Sequence, residues 1–503
     1  MAEPEWSNLA NVPDHPAAYT RPLLGSELFA DQVMLLEDGF GECCQGITFT
    51  TPLTFDELRL RTEQALSRLR FDAPITAATL ESGIHDPQLR SWLYTPIQSP
   101  DDLHGWASEM LTVLEEPVDP SQFVQSMNAT RLPYILPSGR SQYLRLYLIR
   151  PRGTVNAFGL FFHGTHAFMD AHPTLVALGL LLDYMTSPDL PDIATLPWGT
   201  EWKNLPAGPV VSTGGRRTEW DTVGNALLAK VVGVFSNPTA PHSLRTSLPN
   251  VVVRGRPQRL LVELTPKETS GILQGLKKLG FTSTHLLEAA VALATYSLNP
   301  VSAETSSEAH VTFGSSVVSL ARHLVPQHSA RGHFISRFTL VPISIRWKDI
   351  SGSESSSGRE EDKRRLLAAM AKVKEQYTEY LSNPCTPQLM AEQMRLAPPK
   401  EGMPMPNPYV STCTNLGHVE GLLPVLWPAA SASVGAAAAS GPPLLRVSAI
   451  HFGHRLTLPT PMIQIWTMHS RLSIQIEGAD SWDEKILQEY MEEIVRFMLM
   501  AIA

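Results

Sequence analysis

The sequence predicts an α/β protein in two parts, and three observations carry that prediction. The 503 residues exceed one ordinary core and suit two domains of about 200–250 residues each. Strand-like and helix-like periodicities occur on both sides of the middle of the chain. Between them, residues 186–256 turn proline-rich ("SPDLPDIATLPWGTEWKNLPAGP") and lack long periodic segments, apart from a helical patch near 220–235. The expected organisation is a first half over 1–205, a crossover over 206–256 and a second half over 257–503.

Taken in order, "TFDELRLRTEQALSRLRFD" (54–72) predicts a helix capped by Thr54, with Glu57 three residues on completing a capping box. "SQYLRLYLIR" (141–150) alternates as a strand, with Tyr143, Arg145 and Tyr147 opposite Leu144, Leu146 and Leu148. "NAFGLFFHG" (156–164) is a short aromatic run suited to a buried strand, and a helix over 171–186 follows at once. The second half opens with a strand, "PQRLLVELTP" (257–266), then helices over 267–280 and 281–298, the latter capped by Ser283 or Thr284. Residues 337–347 and 462–478 read as strands, and 483–502 as a closing amphipathic helix. Two surface loops are expected: 351–365, which starts a helix running to about 382, and the small-residue stretch 427–445. No internal repeat is visible.

Composition narrows the function. Hydrophobic residues make up 43% and charged residues 18%, which fits a large folded interior. A net charge of −9 and a pI near 6.0 speak against a nucleic-acid partner. The N-terminal "MAEPEWSNLANVPDH" has neither a basic start nor an apolar core, so no signal peptide is expected. The apolar run 174–185 is too short to span a bilayer. Cys43, Cys44, Cys385 and Cys413 do not make a disulfide framework in a chain this long, so reduced, buried thiols in a cytoplasmic protein are expected. CxxC, HExxH, GxGxxG and GxxxxGK[ST] patterns do not occur, which removes the commonest metal and nucleotide readings.

The chemistry concentrates in "FGLFFHGTHAFMDAH" (158–172). His163, His166, Asp170 and His172 are all possible metal ligands, yet no i, i+4 histidine pair and no second ligand cluster supports a metal. Asp170 also stands where a helix N-cap belongs, with Pro173 in the first turn, so it has a purely structural reading. The third reading is general acid–base catalysis. A histidine at a strand end is held by rigid elements, faces a cavity, and has a pKa near cellular pH.

His166-Ala-Phe-Met-Asp170 is an HxxxD motif, and its setting at the end of an apolar strand resembles the CoA-dependent acyltransferase superfamily. That group includes chloramphenicol acetyltransferase, plant BAHD enzymes, fungal trichothecene O-acetyltransferases and condensation domains. "LTPKETSGILQGLKKLGFTSTHLLEAAVALA" (264–294), "GSSVVSLARHLVP" (314–326) and "YVSTCTNLGHVEGLLP" (409–424) resemble later segments of the same fold. The BAHD DFGWG motif is absent, "HFGHR" (451–455) being at best a remnant, and Ala171 stands where many members have glycine. Adjacent histidines of the condensation-domain kind are absent too, because Gly164 and Thr165 separate His163 from His166. The best match is the fungal O-acyltransferase branch.

The resemblance implies two chloramphenicol-acetyltransferase-like half-domains with mixed sheets and an active-site tunnel at their interface. His166 would deprotonate an acceptor hydroxyl that attacks the thioester of acyl-CoA. Asp170 would be structural, pointing toward an arginine; Arg322 is the first candidate, Arg331 and Arg337 the alternatives, and loss of a buried pair would hurt folding as much as chemistry. His163 is a candidate tunnel residue, as are Ser411, Thr414 and Asn415 on one strand and Gln464 and Trp466 on another. No metal or bound cofactor is expected; acyl-CoA serves as co-substrate, and the chain is expected to be a monomer. The competing readings are a condensation-type enzyme served by an acyl carrier protein, and a repurposed fold that guides a cyclisation without acyl transfer.

Overall fold

The structure is a computed structural model that describes residues 3–9, 17–188, 192–244, 254–328, 333–351, 358–401, 407, 409–428 and 443–502. The loop expected at 427–445 therefore falls largely outside the described residues, as does 352–357 of the other.

The helix Phe55–Asp72 begins where its cap predicts: the Glu57 N–H donates to Thr54 Oγ1 at 3.3 Å, and the Thr54 N–H donates to Glu57 Oε2 at 2.9 Å. These bonds satisfy donors that helix geometry leaves free. Its Leu58, Leu66 and Leu69 are buried in one core with the helix Ala171–Thr186. The two helices pack on one another beside a six-stranded sheet. Its order is Leu426–Trp427, Leu445–His454, Cys43–Thr50, Ala157–Gly164, Leu144–Pro151, Leu111–Val118. Only the last pair is parallel.

A second, four-stranded sheet runs Pro257–Glu263, Arg471–Ala479, Met462–Met468, Thr412–His418. Its last pair is again parallel. The expected run 462–478 is thus a hairpin, turned at His469 and Ser470, whose φ values of 50° and 60° match a two-residue turn of the right twist. His310–Ser319 and Phe338–Arg346 form a separate antiparallel pair. Mixed α/β halves are present as expected. The helix Ser283–Leu298 is capped by Thr282 and not by Ser283 or Thr284, the Thr282 hydroxyl accepting from the His285 N–H.

The boundary drawn at 256 is not a clean cut in space. Leu445–His454 comes from the second half of the chain but lies in the first half's sheet, paired along Cys43–Thr50. Without it, the backbone groups of Cys43–Thr50 on that side would be an open sheet edge. The strand Met462–Met468 divides its side chains between two cores. Ile463 and Ile465 sit in the second half's core, and Trp466 and Met468 in the first half's. This period-two alternation places one strand at the seam between the halves.

Candidate active site

The HxxxD turn is built by its three middle residues. Ala167, Phe168 and Met169 are all fully buried, and Phe168 stacks on Trp92 at 5.5 Å between ring centroids. Thr165 secures both ends: its N–H donates to Tyr143 O at 3.1 Å, and its own carbonyl accepts from the Met169 N–H at 3.1 Å. With those side chains drawn into the core, His166 and Asp170 are turned away from it. Gly164 allows the approach, since a Cβ there would stand 2.9 Å from the Tyr143 carbonyl oxygen and 2.7 Å from Leu144.

His166 is half-buried and opens into a cavity of about 140 Å³ between the halves. Phe29, Val33 and Phe40 close it from the first half, and Phe338, Leu340 and Met462 from the second. Phe338 meets the His166 ring edge-on at 5.5 Å. Burial lowers the His166 pKa, and His454 lowers it further, against a smaller opposing pull from Asp170. The imidazole is therefore held in its neutral form, the one able to accept a proton.

Asp170 points elsewhere. One carboxylate oxygen accepts from the Arg337 backbone N–H at 3.4 Å. Its side chain makes no capping bond to the helix it precedes. The arginine beside Asp170 is thus Arg337, one of the alternatives, and not Arg322. Burial lowers the Arg337 pKa, and the Asp170 carboxylate acts in the opposite sense. Arg322 is exposed and donates from Nε to His323 at 3.1 Å. Arg331 lies outside the described residues.

The other candidates scatter. His163 is fully buried away from the cavity, bonded to the Tyr134 hydroxyl, and burial lowers its pKa to about 3. His172 lies within 3.2 Å of the Leu416 carbonyl. Thr414 does line the cavity. Ser411 shares a hydrogen bond with Tyr490, 2.9 Å apart. Asn415 ties its strand to the helix start at Ser283 and Thr284, while its Oδ1 accepts from Gly417 N–H. Gly417, at φ 73°, makes the bulge in a conformation that favours glycine. Gln464 accepts from Gln475 and contacts His454, and Trp466 packs on Phe452 at 5.1 Å.

Sequence reasoning missed His454, whose signal was "HFGHR". It lines the cavity beside His166, with ring centroids 5.9 Å apart. Its Nδ1 pairs with Glu477 Oε2 at 2.8 Å, and its backbone N–H donates to Glu477 Oε1 at 2.9 Å. Cys43 completes the group: its sulfur and the two histidine nitrogens lie within 4.8 Å of one another. Cys and His are zinc ligands, but here the Cys43 thiol donates to Gly41 O at 3.0 Å and the His454 ring is held by Glu477. All four cysteines are free and buried. The four residues first weighed as ligands, His163, His166, Asp170 and His172, do not converge.

The family model of 15-O-acetyltransferase Tri3 matches residues 42–394, which include the whole HxxxD turn. Among solved structures, the TRI3 trichothecene 15-O-acetyltransferase from Fusarium sporotrichioides is similar over 99% of this chain and 98% of that one, with TM-score 0.78 and 19% identity. The condensation domain from the monacolin K polyketide synthase MokA is similar over 96% and 97%, with TM-score 0.59 and 12% identity. The first condensation domain of the calcium-dependent antibiotic synthetase gives 0.61 and 14% over 95% and 96%. At these identities the structural likenesses establish the fold. None of the curated proteins matches the chain.

Proposed function

The chain belongs to the 15-O-acetyltransferase Tri3 family, and from that premise we propose that it moves an acyl group from acyl-CoA to a hydroxyl of a hydrophobic secondary metabolite, with His166 as general base. The observation that carries this reading is His166 opening into an apolar cavity between the two halves, on a turn whose other side chains are locked in the core.

The chemistry balances on one imidazole. His166 takes the proton of the acceptor O–H as that oxygen attacks the thioester carbonyl carbon. The tetrahedral oxyanion collapses, the C–S bond breaks, and His166 returns the proton to the departing thiolate. An ester and a free thiol result. Phe29, Val33, Phe40 and Phe338 keep the surroundings apolar, which favours a hydrophobic acceptor and limits competing hydrolysis. Asp170, directed to the Arg337 N–H, has a structural role.

The test is the mass change of candidate metabolites incubated with acetyl-CoA and longer acyl-CoAs, for wild type and His166→Ala. An acyl increment that disappears in the variant is expected. Absence of any increment, or its persistence in His166→Ala, overturns the reading. The likeness to condensation domains supports a carrier-bound donor as the second reading. Turnover with an acyl-phosphopantetheinyl carrier protein, and none with acyl-CoA, would establish it. A rearranged product of unchanged mass would point to cyclisation. Among the described residues no helix is long and apolar enough to cross a membrane.

A further inference from the structure

The His454–Glu477 pair is built as firmly as the HxxxD turn, although nothing in the motif requires it. Glu477 holds both the ring Nδ1 and the backbone N–H of His454. Asn128 approaches the same carboxylate at 3.5 Å. Gln464 stands 3.5 Å from the ring and is itself held by Gln475 at 3.1 Å. Both members of the pair are buried, yet one side of the His454 ring lines the cavity next to His166. A carboxylate that grips an imidazole by Nδ1 fixes its orientation and favours its charged form.

We propose that His454, clamped by Glu477, is a positioning residue of the acyl-transfer site, a fixed cation beside His166 that keeps the His166 imidazole neutral and ready to accept a proton. The same repulsion acts after proton transfer. An imidazolium at His166 beside a second cation is a stronger acid, so it passes its proton on to the leaving sulfur more readily. The proposal rests on the acyl-transfer reading for its purpose, but the electrostatic pairing stands on geometry alone.

The groups facing this pair come from several elements. Cys43 approaches from Cys43–Thr50, Glu477 from Arg471–Ala479, and His166 with Asp170 from the HxxxD turn. Gln464 and Asn128 are uncharged. Burial pulls the His454 pKa down, but Cys43 and Glu477 more than offset it and hold it up to about 10. Burial raises the Cys43 pKa, and the neighbouring His454 pulls it back down.

The test is histidine side-chain NMR on the intact protein with 13C-labelled histidine. In wild type, His454 is expected to stay protonated above pH 8 and His166 to titrate below its ordinary value. In His454→Gln, the His166 titration should move up by about one to two pH units, and the acid limb of kcat/KM should move with it. Glu477→Gln should bring the His454 titration down. A wild-type His454 that titrates below pH 7, measured without any variant, would overturn the proposal. So would an unshifted His166 in a folded His454→Gln. These titrations need no turnover, so a chain that transfers no acyl group but shows them defeats only the preceding reading.

Discussion

His166 and Asp170 leave one short turn in different directions, and their substitutions should separate accordingly. His166→Ala should lower kcat by about two to four orders of magnitude and leave the unfolding midpoint nearly unchanged, since the ring faces a cavity. Asp170 was expected to form a buried ion pair, whose rupture costs about 3–5 kcal/mol. The structure shows instead a half-exposed carboxylate on the Arg337 N–H, so Asp170→Asn should cost about 1–2 kcal/mol in urea unfolding. A double-mutant cycle with Arg337→Met, which keeps the backbone bond and removes the guanidinium's pull on the carboxylate, should show coupling of about 1 kcal/mol, and one with Arg322→Met none. Coupling to Arg322 would show that the turn is braced differently. The choice among arginines was not legible in the sequence, because it depends on which loop of the second half reaches the turn.

The turn works as an element because its apolar side chains anchor it. Phe168→Ala removes a fully buried ring that stacks on Trp92 and lies 6.0 Å from Phe334. It should destabilise by about 3–5 kcal/mol. Gly164→Ala forces a methyl against the Tyr143 carbonyl and Leu144; about 1–3 kcal/mol of strain is expected, with kcat falling more than stability as His166 shifts. Equal losses of both would show that the turn relaxes around the methyl. Elements with local signals were legible: the capping box of Phe55–Asp72 and the helix Ala171–Thr186 match expectation. Leu445–His454 gave no such signal. A register shift at Val447/Ala449 interrupts its alternation, and its partner strand lies some four hundred residues earlier in the chain.

Across the whole molecule, buried ionisable groups should shape how stability depends on pH. Burial first of all lowers the pKa of His163 and His333 to about 3. These groups stabilise the fold above pH 6.5, and that contribution is lost as pH falls toward 3. Burial raises Glu42 to about 8 and Glu288 to about 7. Their contribution is full below pH 4.5 and is lost as pH rises through 7–8. His454, raised to about 10, adds stability below 6.5 that is lost toward 10. Burial also lowers His451 to about 4, so between about pH 4.5 and 6.5 three histidine effects outweigh two glutamate ones, and from these groups stability should rise to about pH 6.5 and decline above it. Urea midpoints measured from pH 4 to 9 check this, and an optimum above pH 8 would contradict it.

Local rules sufficed for the α/β class, most helices and the HxxxD turn, because caps, apolar periodicity and strand ends are written in consecutive residues. The resemblance carried by that motif, and by the segments at 264–294 and 409–424, reached the family as well. Tertiary structure alone decided the company His166 keeps. Arg337, His454, Glu477 and the cavity walls converge from distant strands, and the strength of each interaction depends on burial that a linear chain does not display.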